Sequence, residues 1–194
     1  MAGRPKIFDE QQVIDKAVEV FWNKGYEAAS ADELLASMGI GKGSFYLSFK
    51  GGKKELYERS LIQFFDNYYK SLKSDISKSD DPIAFIKNFF LDLADVSEIK
   101  QAQGCYIGNG LIEMSTKDDH TKEIASRLLK RMEGVFTEAI QEAQNANKLK
   151  TTEKPDVLGR YLLNLWNGIN VTRRMYPKDE SLKKSIALNL KLIY

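Results

Sequence analysis

The chain holds one cysteine, one histidine and four prolines in 194 residues, and each scarcity excludes something. A lone cysteine, Cys105, cannot build an intramolecular disulfide framework, which fits a reducing compartment. His120 has no second histidine or further cysteine to complete a soft-metal ligand set, so no metal and no other cofactor is expected. It follows Asp118-Asp119 at an expected helix start, where a surface or capping role suits it. Ser-His-Asp and Cys-His templates would have to use His120 alone, without an activating context, so no enzymatic activity is expected. No run of about eighteen apolar residues exists to span a bilayer. Met1-Ala2-Gly3-Arg4-Pro5-Lys6 carries no apolar signal core, and the expected location is the cytoplasm, with the nucleoid. Net charge is only +2, so bulk charge does not point to nucleic acid.

What is present is helical periodicity, with 43% hydrophobic residues to supply one or two cores. No alternating strand pattern appears, and the fold class expected is all-α. Asp9 opens the first helix, with Gln12 three residues on to complete a capping box. Ile14, Ala17, Val18 and Phe21 form its core stripe, and Gly25 is expected to end it. Ser30 and Glu33 form a second capping box before a short helix through Leu34, Leu35 and Met38, which Gly39 breaks. A third short helix runs from Lys42 to about Phe49. Gly51-Gly52 then precedes a long helix from near Lys53, expected to run to the polar stretch 71–81, where 73–75 and 78–81 read as solvated loop. Pro82 opens a fifth helix, 97–104 reads as loop, and Cys105 to Ser115 is a short apolar helix. Two long helices follow, roughly 120–147 and 155–176, before a final one marked by Leu182, Ile186, Leu190 and Ile193. The chain divides into residues 1–52 and 53–194.

Two short helices joined through a glycine turn and braced by a longer one make a helix-turn-helix. Packing Leu34, Met38, Ile40 and Phe45 on Phe21 leaves Lys42, Gly43, Ser44 and Tyr46 outward. A cation, a bare backbone, a hydroxyl and a phenol suit phosphate and base-edge contacts in a major groove. Tyr46 has a competing reading, as part of the small domain's core. Between Glu33 and Glu55 the only charges are Lys42, Lys50, Lys53 and Lys54, a locally basic surface on a neutral segment.

Phe8-Asp9 through Phe21-Trp22, Gly25-Tyr26, Ser30, Met38-Gly39-Ile40 and Lys42-Gly43-Ser44-Phe45-Tyr46 with Phe49 form one collinear block that resembles the tetracycline-repressor (TetR) family. The resemblance covers roughly residues 6–60. It implies a DNA-binding N-terminal domain and a C-terminal domain for dimerisation and effector binding. By position it implies DNA contacts from Ser30, Lys42, Ser44, Tyr46 and Lys53, while Arg4 in the N-terminal arm is placed to reach a minor groove. Leu35 stands where the family usually has alanine, and the Phe49–Leu56 interval is one residue longer than usual. That insertion leaves open whether Lys53 or Lys54 takes the phosphate.

The resemblance also implies a homodimer built on the two long helices, binding a palindromic operator in double-stranded DNA. Gly168, within the second of them, marks either a close crossing at the dimer seam or a kink. A small-molecule effector is expected among Phe64, Tyr68, Phe89, Tyr106, Asn109, Glu113, Tyr161 and Trp166. Asn109 and Glu113 share one helix face and bond either the effector or the protein itself. Cys105 reads as an oxidant or electrophile sensor or as a small buried hydrophobe, and no cation adjoins it in sequence. Repression released by the effector is the function implied. The alternatives are a helical ligand-binding or scaffold protein that lost DNA binding, and a DNA-binding dimer with no small-molecule effector.

Overall fold

The computed structural model describes residues 8–176 and 180–194. Among them no strand forms, and ten α-helices make an all-α fold.

α1 (Glu10–Ala28) is capped by Asp9, whose carboxylate accepts N–H bonds from Gln11 and Gln12 at 2.9 and 3.4 Å. Among the described bonds Gln12 does not reach back, so only half of the expected capping box forms. Gly25 interrupts α1 rather than ending it: its φ of 81° and ψ of 173° break the helix, and one more turn runs to Ala28. α2 (Ala31–Met38) has the full Ser30–Glu33 capping box, and Gly39 at φ 71° turns the chain. α3 (Lys42–Ser48) follows at once.

α4 (Gly52–Lys78) is longer than the polar residues after Tyr68 suggest. Leu72 and Ile76 continue the buried stripe of Leu61 and Phe65, so burial on one face carries the helix through the segment read as loop. Its polar face is used as well, since Lys73 pairs with Glu138 at 2.8 Å. Asp81 and Pro82 start α5 (Pro82–Asp92), with Asp81 accepting the Ala84 N–H at 2.9 Å. Residues 97–104 are not all loop. Ser97 caps a short α6 (Glu98–Gln103), which Gly104 stops before α7 (Tyr106–Met114).

α8 (Asp119–Asn145) and α9 (Pro155–Met175) pair extensively, followed by α10 (Glu180–Asn189) and a 3-10 turn over Leu190–Leu192. A β-carbon on Gly159 would collide with the Thr137 hydroxyl, so α8 and α9 approach closely only because this residue has no side chain. α9 continues as one helix through Gly168, so no kink occurs there, and among the described residues nothing approaches within 4 Å of where its β-carbon would be. One hydrophobic cluster runs from Val13 to Ile193 and joins the N-terminal helices to the rest.

Candidate nucleic-acid interface

α3 has an inner and an outer side. Phe45 and Phe49 are buried, their rings 5.3 Å apart, in the same core as Leu34 and Met38. Lys42, Gly43, Ser44 and Tyr46 are exposed. Tyr46 is 51% exposed with its ring edge on Phe45, so it flanks the small core rather than completing it. Leu47, at 80% exposure, belongs to the same face and was not singled out from the sequence. Lys42 has no ion-pair partner among the described residues. Among the described residues a β-carbon on Gly43 would meet nothing within 4 Å, so no packing between them accounts for glycine there. Ser30 remains exposed, but its hydroxyl is shared with Glu33, accepting its N–H at 3.2 Å and donating to its carboxylate at 3.0 Å. Arg4 lies outside the described residues.

The two lysines after the glycine pair separate. Lys53 lies 4.7 Å over the Tyr26 ring, donates to the Glu27 carbonyl at 3.2 Å, and borders a small cleft with Lys42 and Tyr46. Lys54 pairs with Asp118 and lies 4.0 Å from Glu58. Neighbours on a helix point about 100° apart, and here the two ammonium groups take different partners. The Lys54 ammonium is the main cause that holds the Asp118 carboxyl well below its ordinary range, helped by the Thr121 N–H. His120 lies 2.9 Å from Glu58, and ligand atoms of Glu58, Asp118 and His120 fall within 4.8 Å of one another. The Lys54 ammonium already supplies a cation to these carboxylates.

The break in α1 is a joint. The freed N–H groups of Tyr26 and Glu27 both donate to the Glu113 carboxylate, at 2.8 and 2.9 Å. A β-carbon on Gly25 would come within 3.0 Å of Glu113, and positive φ there also favours glycine. Trp22 donates to the Gln103 carbonyl at 3.1 Å, Gln103 donates to Asn23 at 2.9 Å, and Lys117 pairs with Glu27 at 3.1 Å. Tyr57 of α4 meets Phe21 edge-on at 4.8 Å and leaves no room for a side chain on Gly110. α6 and α7 are thereby fastened to α1 and α4.

The eight residues proposed for one effector pocket occupy different places. Phe64 and Tyr106 pack with Trp22, and the buried Tyr106 hydroxyl, its pKa pushed up by burial, bonds Ser60 at 2.6 Å. Phe89 stacks on Trp166 at 5.5 Å with Tyr68 beside it. Tyr161 donates to the Asn189 carbonyl at 2.9 Å and borders a separate cleft of about 350 Å³ between α9 and α10. Asn109 and Glu113 do share a face, but they are already bonded within the chain. Asn109 donates to the Gln103 carbonyl and accepts from Arg174, both at 2.9 Å. With Trp22 and Arg174 they border an open cleft of about 580 Å³. Trp22 and Arg174 were missed because residues 22 and 174 meet only through tertiary packing.

Cys105 caps α7. Its sulfur accepts the Gly108 N–H at 3.3 Å and the Trp166 Nε1–H at 3.4 Å. The cation absent from its sequence neighbourhood comes from α9. Arg173, only 5% exposed, donates to the Gly104 carbonyl and Asn170, while its Nε has no partner among the described residues. Burial lowers the Arg173 pKa.

Comparison with known proteins matches residues 13–59 to the family "Bacterial regulatory proteins, tetR family" and residues 82–188 to "Tetracyclin repressor-like, C-terminal domain". The HTH-type transcriptional repressor DhaR of Mycobacterium sp. (strain GP1) is 27% identical over 178 residues, covering 89% of this chain and 87% of that protein. The reduced form of NemR from E. coli superimposes with a TM-score of 0.85 at 18% identity, over 96% of this chain and 98% of that one. A cysteine mutant of the TetR family transcriptional regulator CifR, complexed with 26-bp operator DNA, gives a TM-score of 0.79 at 19% identity, over 97% and 98%. The second family match alone spans more than half of the sequence, and the chain belongs to the tetR family of bacterial regulatory proteins.

Proposed function

We propose that the protein is a homodimeric, cytoplasmic repressor that binds a palindromic operator through α3 and is released by a small-molecule effector. The reading is of a regulator and not an enzyme. The observation that carries it is the outward side of α3, where Lys42, Gly43, Ser44 and Tyr46 are exposed over a buried Phe45–Phe49 base. Ser30 and Lys53 flank that face, and Arg4 is assigned to the minor groove by position alone. Family membership, the repressor DhaR and the operator-bound CifR support the same reading. Among the described residues no helix is long and apolar enough to cross a membrane.

Dimerisation through α8 and α9 is supported by the exposure of Val157, Val171 and Met175 on α9 and by Gly168, whose lack of a side chain nothing among the described residues explains. A dimer sets two α3 helices about one DNA turn apart, roughly 34–36 Å or slightly more. An effector that favours another spacing weakens operator binding, and operator DNA weakens effector binding by the same factor. Selecting sites from random duplex DNA at near-physiological salt tests the reading. Enrichment of a palindrome is expected, and no enrichment from folded, dimeric protein overturns it.

A second reading concerns the signal. Cys105 as an electrophile sensor is favoured by the two N–H donors on its sulfur and by the buried Arg173 beside it. Its thiolate adds to the β-carbon of an α,β-unsaturated carbonyl. An S–C bond forms, the C=C pair moves to the enolate, and water supplies the proton. Cys105→Ser should keep operator binding and lose the response to N-ethylmaleimide, and an unchanged response removes this reading.

A further inference from the structure

The cleft between the broken end of α1 and the α6–α7 corner has a volume of about 580 Å³, within the range of small-molecule sites. Its apolar walls are Trp22, Ile99 and Ile112, and both isoleucines are exposed, an apolar grouping that solvent does not favour. Arg174, at the end of α9, forms another side. Its guanidinium is held by uncharged acceptors: the Ala102 carbonyl at 2.9 Å, the Gln103 carbonyl, and Asn109 at 2.9 Å. These take the Nε and Nη2 hydrogens. Among the described residues Nη1 has no partner, and no carboxylate pairs with Arg174 or with its neighbour Arg173. Glu113 borders the same cleft, but its two oxygens are taken by the Tyr26 and Glu27 N–H groups.

A fixed guanidinium with a free edge and no paired carboxylate, beside an apolar wall, is built to receive a carboxylate on an apolar body. We propose that this cleft binds an amphipathic organic carboxylate, its head on Arg174 and its body against Trp22, Ile99 and Ile112. The effector role given to that ligand rests on the repressor reading above. Gly25 and Glu113 border the cleft, so a seated ligand bears directly on the bonds that fasten α1 to α7. Its leverage equals its preference for one arrangement of that joint over the other.

Sodium decanoate titrated into the full chain by calorimetry is the test, with decyltrimethylammonium bromide as a cationic counterpart of equal tail length. Decanoate is expected to bind saturably, once per chain, and the cation not to compete. Arg174→Gln and Ile112→Glu are each expected to weaken decanoate at least tenfold. Ile112 is exposed, so its variant carries little folding risk. Trp166→Phe leaves Trp22 as the one tryptophan, and its emission should follow the same isotherm. No binding, binding of the cation alone, or parent-like decanoate affinity in either variant overturns the proposal. Decanoate that binds through Arg174 yet leaves selected operator DNA bound supports the site and removes its effector role, so the two failures are separable.

Discussion

α3 and α7 are short helices of seven and nine residues that use their side chains in opposite ways. α3 sinks only Phe45 into the core and leaves its cation, hydroxyl and phenol facing solvent. α7 buries Tyr106, Ile107, Gly110 and Met114 and commits its polar groups, Asn109 and Glu113, to neighbouring helices. Exposed polar groups without an internal partner are available to another molecule, whereas partnered ones hold the protein's own parts in register. The comparison therefore separates residues whose loss should cost DNA binding from residues whose loss should cost stability or coupling.

The largest effects should come from α3. Tyr46→Ala and Lys42→Ala should each weaken the operator complex by about 1–3 kcal/mol, read by anisotropy titration. Lys42→Ala should also reduce the slope of log affinity against log salt by about 1. Thermal melts of Lys42→Ala should stay within about 0.5 kcal/mol of the parent, because Lys42 is exposed and unpaired among the described residues, whereas Tyr46→Ala also gives up the ring edge on Phe45. A stability loss with unchanged operator affinity would reverse the roles given to the two helices.

On α7 the pattern should invert. A β-carbon on Gly110 meets the Tyr57 hydroxyl at 2.8 Å and Leu61 at 3.2 Å. Gly110→Ala should therefore lower unfolding stability by about 1–3 kcal/mol, measured in urea. Glu113→Gln keeps the shape but replaces a carboxylate that serves two N–H donors with an amide bearing one acceptor oxygen. Hydrogen exchange at the Tyr26 and Glu27 amides should speed up by about tenfold, the equivalent of one charge-assisted bond weakened by roughly 1.4 kcal/mol. Unchanged exchange there would mean that the joint does not depend on Glu113.

The smallest effect concerns acid. The folded state depresses the Asp118 pKa, chiefly through the Lys54 ammonium. The contribution is complete above the unfolded carboxylate value of about 3.9 and is lost as pH falls through the lower folded value. Asp118→Asn should flatten the acid limb of a stability-against-pH curve below about pH 4 and leave the neutral region nearly level. An identical acid limb in the variant would show that another carboxylate sets it.

Much of this arrangement was legible in the sequence where local chemistry decides it. Ser30 with Glu33, Gly39 and the Phe45–Phe49 spacing fix α2, the turn and the buried side of α3 through contacts within a few residues. The far end of α4 was misread because polarity was weighed above the sparse Leu72 and Ile76, whose value depends on the helices that cover them. Gly25 read as an end because nothing local shows that a carboxylate 88 positions later will hold the next turn. Lys53 and Lys54 could not be told apart for the same reason, since Asp118 decides between them. The effector residues were the least legible. Any aromatic at helical spacing serves a core equally well, and most of those chosen pack on one another, whereas Trp22 and Arg174 come to one cleft from distant parts of the sequence.

The central claim is that the outer side of α3 reads DNA sequence, and base-by-base discrimination tests it most directly. Affinities of the parent, Ser44→Ala and Tyr46→Ala would be measured against every single-base change in the selected half-site. The account predicts that each variant loses discrimination at one or two adjacent base pairs and keeps it elsewhere, because a base-edge contact informs only the position it touches. Parent-like affinity and an unchanged base preference in both variants would contradict it and move recognition to another surface of the protein.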